Sequence, residues 1–306
     1  MIHEFAVEPE VMATWDHFRV LWADFGVGKG RLLVEFPGSW RRRVYELAET
    51  LSSPVRAYTV RSRLADAAER RHRMVGPSGR DYDRERAWLN NAVAQQGSGQ
   101  PFRAIVASRN PSGRADVLPA VEFDLEAEPW KVSTQVNDCP RVAAEMVARL
   151  ATLLRHSEEL VLVDRNFKTG IPRWRKPFKA FVAERPNWKR HWKRLELHTW
   201  RPDPCDLGVL QEEYQRWLGP AVPTGTTLIV LFWPRFPEGQ QLHPRYVLTE
   251  RGGALIDWGL DEAQSPTSTT FMALLEHGVF LELRQHYHKD GRTFGVPACI
   301  NVEGRG

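Results

Sequence analysis

Three short apolar runs, separated by amphipathic stretches, constrain this chain more than any other feature. They are residues 159–164 (ELVLVD), 194–199 (RLELHT) and Thr227–Trp233 (TLIVLFW). Each has the length of a strand and is too short for a buried helix. Between them lie residues 172–184 (PRWRKPFKAFVAE) and Leu207–Leu218 (LGVLQEEYQRWL), whose apolar residues recur at helical spacing. A helix between two strands carries the chain across the sheet, so the second strand returns parallel to the first. The pattern therefore predicts an α/β fold, a mostly parallel sheet with helices on both faces. The first run ends in Asp164-Arg165-Asn166-Phe167, a polar loop at a strand C-terminus. Open α/β sheets place their sites at such ends.

Upstream the periodicity reads differently. Residues 11–25 place Val11, Trp15, Phe18 and Trp22 on one helical face. Further helices are expected over 39–51, with Ser39 as N-cap, over 54–74 and over 81–96. The division expected is a mainly helical basic domain at 1–96, an irregular, short-strand connector at 97–135 with a strand over 102–107, and the α/β domain at 136–306. In the last, Asp138 is expected to cap a helix running to 156. Residues 271–276 should form a helical turn, 279–286 a late strand and 301–306 a mobile tail. Gly26-Val27-Gly28-Lys29-Gly30 lacks the full phosphate-loop pattern and reads as a plain turn.

Composition narrows the class. Of 306 residues, 42% are apolar and 26% charged, which suits a globular protein with a substantial core. A net charge of +4 mildly favours a polyanionic partner. Cys139, Cys205 and Cys299 are widely spaced with no C-x-x-C, so reduced thiols in a cytoplasmic protein are expected, with no disulfide framework and no zinc. His286-Tyr287-His288 has no third ligand nearby, and neither a metal nor a cofactor is expected. The opening Met1-Ile2-His3-Glu4 does not read as a signal peptide, and no apolar stretch has the length of a transmembrane segment.

The stretch 242–261 (LHPRYVLTERGGALIDWGLD) carries the most chemistry. It holds His243, Arg245 and Glu250 as H-x-R-x4-E, followed by Gly252-Gly253. The pattern predicts a hairpin with His243 and Arg245 on one face, since residues two apart on a strand share a face. An imidazole beside a guanidinium suits an oxyanion such as phosphate. The stretch resembles the phospholipase D superfamily signature, H-x-K-x4-D followed by G-S-x-N. Arg245 stands for the family Lys, Glu250 for the family Asp, and Gly259-Leu260-Asp261 lies where G-S-x-N is usual. It is more similar still to the phospholipase D-like C-terminal domain of MIT-domain proteins, a branch regarded as non-catalytic and lipid-binding. The resemblance covers roughly residue 160 to the C-terminus. It implies a histidine nucleophile at His243, a phosphate-holding Arg245, a carboxylate at Glu250 that orients the histidine, and a second motif copy from a homodimer partner.

Basic residues beside aromatics form the second candidate surface. Residues 187–200 interleave Trp188 and Trp192 with Lys189, Arg190, Lys193 and Arg194, and Arg173, Arg175 and Lys176 extend it upstream. Rings that stack on bases and cations that follow phosphates suit single-stranded nucleic acid. The Arg41-Arg42-Arg43 triplet offers a further phosphate-backbone contact. His198 is the candidate second histidine within one subunit. The function expected is a phospholipase D-like, nucleic-acid-associated subunit working with partner proteins in a bacterial antiviral-defence or mobile-element assembly. Its divergent phosphodiesterase site would serve binding or scaffolding. The alternatives are an active homodimeric nuclease using His243, and a module that binds acidic lipid.

Overall fold

The computed structural model describes residues 1–76, 79–184, 191–235, 244–265, 267–287 and 295–306. The protein is α/β throughout, and the chain divides into two compact units, Ile2–Ser133 and Thr134–Gly306, the latter taking in Met1.

The first unit is built on a sheet, not on helices alone. Strands β1 (His3–Val7), β2 (Arg31–Val34), β3 (Met74–Val75), β4 (Ala104–Ala107) and β5 (Val117–Pro119) lie in the order β3-β2-β1-β4-β5, every pairing parallel. Helices α1 (Pro9–Ala13), α2 (Trp15–Asp24), α3 (Trp40–Leu51), α4 (Pro54–Arg70) and α5 (Trp88–Ala94) accompany it. The helix expected over 39–51 is present, without a side-chain cap from Ser39, but 54–74 is corrected to a helix ending at Arg70 with Met74 in β3. Residues 81–96 are helical only over Trp88–Ala94 before a short 3-10 turn, and 11–25 is broken at Thr14, whose backbone is extended. The expectation of a mainly helical domain with a separate connector at 97–135 is corrected, because β4 and β5 are strands of this same sheet. Phe5, Val7, Leu33, Ala104 and Val106 share one core with Phe18, Trp40, Val60 and Trp130. The strands have two to five residues and are buried almost throughout, so they show no alternation in the sequence.

The second unit carries β6 (Gln135–Pro140), α6 (Ala143–Arg155), β7 (Glu159–Val163), α7 (Pro172–Ala183), β8 (Arg194–Trp200), α8 (Leu207–Leu218) and β9 (Thr227–Trp233). It continues with β10 (Tyr246–Leu248), β11 (Gly253–Ile256), β12 (Thr269–Leu274), α9 (His277–His286) and β13 (Ala298–Glu303). The sheet order is β13-β9-β8-β7-β10-β11-β12-β6. β7, β8 and β9 form a parallel core, as the three apolar runs require, and the flanking pairings are antiparallel, which makes the sheet mixed. β10 and β11 form the expected hairpin, with Tyr246 opposite Leu255. Gly253, the first residue of β11, leaves room for the close approach of β10, because a Cβ there would stand 2.6 Å from Leu248 and 2.8 Å from the Val247 carbonyl.

Four local expectations are corrected in this unit. Residues 135–140 are strand, and α6 begins only at Ala143. Residues 271–276 fall mostly in β12, whose alternating burial marks a strand with one face inward. Residues 279–286 are helix, because the Glu276 carboxylate caps the Gly278 N–H and the buried Phe280 and Tyr287 lie on one helical face. Residues 301–303 continue β13, which pairs along the edge of β9, and the backbone N–H groups of Gly304, Arg305 and Gly306 are all bonded.

Candidate anion site at the end of the parallel strands

The site grows from the carboxylate that closes β7. Asp164 is only 1% exposed. Its two oxygens accept the backbone N–H groups of Asn166 and Leu260, each at 2.9 Å. One carboxylate thus ties the loop after β7 to the loop after β11. Gly259 precedes Leu260 with φ +118, and a Cβ there would stand 3.0 Å from the Asp164 carboxylate. A glycine is required for both conformation and space.

Around this tie the chain gathers cations from distant segments. Arg245, just before β10, donates through Nη1 to the Asp257 carbonyl at 2.9 Å. Arg141, just after β6, donates to Asp261 at 2.7 Å. Arg173, in the first turn of α7, stands 3.4 Å from the other Asp261 oxygen, within ion-pair reach but outside hydrogen-bond geometry. Together with Asp164, Asn166, Trp174 and Trp258 these residues line a cavity of about 300 Å³. Trp174 is buried at its wall, whereas Trp258 is 63% exposed.

The electrostatics favour an anion. Three guanidinium groups face two carboxylates, and those carboxylates are already committed to partners. Burial pushes the Asp164 carboxyl above its ordinary range, opposed by the two N–H donors and by Arg245. Arg165 lies beside the site, its pKa lowered by burial and by the neighbouring charge of Arg245. Among the described residues several buried donors find no hydrogen-bond acceptor, namely Nε of Arg141, Arg165 and Arg245 and Nε1 of Trp174, and Nε of Arg173 has only its ion pair with Asp261. A buried donor left unpaired costs about 1–3 kcal/mol, so an oxyanion that accepted from several would bind with corresponding gain.

The basic character extends along the strand ends. Arg165 follows β7, Arg201 follows β8 and Arg235 follows β9. Arg165 and Arg235 both stand over the Trp200 ring, at 4.8 and 4.7 Å.

Of the residues singled out in the sequence, Arg245 and Arg173 line this cavity, and Asp261 joins them. Glu250 does not line it. Its carboxylate accepts the backbone N–H groups of Glu158 and Glu159 and pairs with Arg251 at 3.4 Å. Those groups stand at the opposite end of β7 from Asp164, because β10 runs antiparallel to β7. His243, Trp188, Lys189 and Arg190 lie outside the described residues. Arg175 stacks on Trp217 at 4.0 Å, Lys176 pairs with Glu262 at 3.2 Å, and Lys193 pairs with Glu158. Trp192 is corrected from a stacking platform to a core residue, its indole N–H donating to the Val182 carbonyl. His198 is fully buried, with Glu196 at 3.0 Å on one ring nitrogen and the Trp233 indole N–H at 3.0 Å on the other, so it cannot reach substrate. In the N-terminal unit Arg41 pairs with Glu35 at 3.3 Å, Arg42 with Glu46 at 3.8 Å and Arg43 with Glu10 at 3.5 Å.

Sequence reasoning missed Arg141, Trp174 and Trp258. Arg141 is 120 residues from the Asp261 it pairs with, and no local pattern joins them. Among the described residues no group of His, Cys, Asp and Glu is placed to hold a metal ion. No described helix is long and apolar enough to cross a membrane.

No family model matches the chain, and no curated protein matches it. Among solved structures, the archaeal chromatin protein TrmBL2, described as showing a novel mode of DNA binding, is similar at 11% identity and a TM-score of 0.25. That match spans about half of either chain, 49% of this one and 49% of the other. At such a score two chains need not share a fold.

Proposed function

We propose that the unit formed by residues 134–306 is a phospholipase D-like module that holds a phosphodiester of nucleic acid in the Arg141–Arg173–Arg245 cavity and does not turn it over. One observation carries this reading. Guanidinium groups from three separate segments converge on a single cavity sized for a phosphate and its immediate neighbours, and among the described residues the Nε groups of Arg141 and Arg245 and the Trp174 indole N–H find no hydrogen-bond acceptor. Arginine suits this task, since its planar fork matches two oxygens of a phosphodiester.

The reading without turnover rests on what surrounds the arginines. Asp261 puts a carboxylate in the segment that stands for the family's G-S-x-N, and Glu250 is spent on the far end of the hairpin. The same phosphodiester chemistry occurs in an acidic lipid head group, and nucleic acid is favoured by the row of arginines along the strand ends.

Titration of the full-length protein with single-stranded oligonucleotide at several salt concentrations tests the proposal. Binding should weaken steeply with salt and collapse in Arg245→Ala and Arg173→Ala. Hydrolysis of the oligonucleotide that disappears in His243→Ala would replace the binding reading with a nuclease. Binding to anionic vesicles but not to oligonucleotide would replace nucleic acid with lipid.

A further inference from the structure

We infer that Trp258 is a stacking platform for an unpaired base, so that the cavity takes a nucleotide of single-stranded nucleic acid with its phosphate on the arginines and its base on the indole. The inference rests on the phosphodiester reading above and names the substrate class of that site.

Trp258 is the most exposed tryptophan among the described residues, and its backbone is held from both sides. Its own N–H donates to the buried Thr270 hydroxyl at 3.3 Å. On one side, Asp257 gives its N–H to the Phe271 carbonyl and its carbonyl to Arg245. On the other, Leu260 is buried and its N–H is fixed on Asp164. A side chain that projects from so firmly anchored a loop is presented, not merely left over. Large rings are normally packed, and an indole left 63% in water forgoes that gain.

Position and chemistry then specify what the ring meets. Trp258 lines the cavity with Arg141, whose guanidinium stands 5.7 Å from the ring centroid. A cation on one side of an indole leaves the other side for a second flat group. The phosphate-holding arginines of the same cavity lie within one nucleotide of it. Every base has a π-face, so such a platform is tolerant of sequence. A duplex keeps its bases stacked internally and offers none, which makes the site selective for single strands and unpaired ends.

The test compares three ligands on the full-length protein, namely a short single-stranded oligonucleotide, the same strand made abasic, and its duplex. The intact single strand should bind tightest. Trp258→Ala should weaken it roughly 5- to 150-fold, the range one base stacked on an aromatic ring is worth. The same change should leave the abasic strand unaffected, and Trp258→Phe should recover part of the loss. Arg245→Ala should weaken all three. If Trp258→Ala leaves the single strand unchanged while Arg245→Ala weakens it, the stacking inference falls and the phosphodiester site stands. If none of the three binds, both fall. Loss of vesicle binding in Trp258→Ala, with oligonucleotide binding intact, would overturn the inference in favour of membrane insertion.

Discussion

The two sheets each bring parallel strands to a C-terminal edge, and they finish that edge in opposite ways. In the N-terminal unit the described contacts at that edge are made within the unit. The Trp40 indole donates to the Val7 carbonyl at the end of β1, at 2.6 Å. Glu8, the next residue, accepts the Ser108 N–H beyond β4, which bridges the point where the strand order reverses. Glu35, after β2, pairs with Arg41, and the Trp88 indole donates to the Phe36 carbonyl. In the C-terminal unit the corresponding ends carry Asp164, Arg165, Arg201 and Arg235, and among the described residues several donors around the cavity beside β7 have no hydrogen-bond acceptor. Topology offers a crevice at the strand ends of both sheets. Whether it becomes a site depends on whether the donors around it are already satisfied.

Arg245 gives the hardest blow to that contrast. Arg245→Ala removes a half-buried charge and a cavity-lining donor. Removing one partner of a desolvated charge contact costs about 2–5 kcal/mol, or roughly 30-fold and upward in affinity for oligonucleotide. The matching change at the other edge, Arg41→Ala, should leave affinity unaltered, since Arg41 is occupied by Glu35. Equal losses in the two variants, measured by titration at one salt concentration, would mean that the difference between the edges has no bearing on binding.

Buried glutamates sharpen the contrast through pH. Burial tends to raise the Glu196 carboxyl, but hydrogen bonds from His198 and Arg194 overcome it and hold the pKa at about 2, against an ordinary 4.5. A carboxylate depressed on folding stabilises the fold above its unfolded value, and that contribution is lost as pH falls from about 4.5 through about 2. The depression is worth on the order of 3 kcal/mol. Glu196→Gln should therefore be less stable at neutral pH and should lose much of the acid dependence of the C-terminal unit. Glu35 has the opposite sign, because burial raises its pKa and Arg41 only partly opposes this. Its folded state gains a proton relative to the unfolded chain, so its contribution is present at low pH and is lost as pH rises through the folded value. Glu35→Gln should flatten that decline. Urea melts of both variants across pH would expose the error if the two shifted in the same direction.

How much of this was legible follows the same division. β7, β8 and β9 were visible because each is an isolated apolar run of strand length between amphipathic stretches, and α8 showed its apolar face. The N-terminal sheet was hidden because β2 and β3 are four and two residues long and almost wholly buried, so neither length nor alternation marked them. Helix α9 was misread because Val279-Phe280-Leu281-Glu282-Leu283 mimics a strand, and Phe280, Leu283 and Tyr287 against the β7 and β9 core reveal its true face. At the site, Arg245 was legible from its neighbourhood in sequence. Arg141 and Trp258 were not, because what makes them functional is a cavity that exists only after β6, β7 and β11 have paired into one sheet.

A milder test addresses the closed edge. Trp40→Phe keeps an aromatic ring in a fully buried position and deletes the indole donor. The Val7 carbonyl then loses its side-chain partner, at a cost of about 1–3 kcal/mol to the N-terminal unit. Oligonucleotide affinity should not change. A melt in which the C-terminal unit lost stability instead would contradict the assignment of this contact to one unit's edge alone.

The smallest effect is expected at Asp261, and it asks whether the open edge is tuned or merely unfinished. Its carboxylate holds Arg141 at 2.7 Å and Arg173 at 3.4 Å, and it also faces any anion that enters. Asp261→Asn keeps one oxygen to accept from Arg141 and removes the negative charge. At an effective dielectric of about 20, a like charge some 6 Å away costs an anion up to roughly 3 kcal/mol. Much of this is recovered because the same charge keeps the two guanidiniums in place. The net expectation is about 1 kcal/mol of tighter binding, roughly fivefold, with a loss of about 1 kcal/mol in stability from the weakened pairs. Tighter binding would mean that Asp261 limits affinity in the native protein. Weaker binding would mean that its hold on Arg141 and Arg173 matters more than its charge, and that the open edge depends on an internal partner as much as the closed one does.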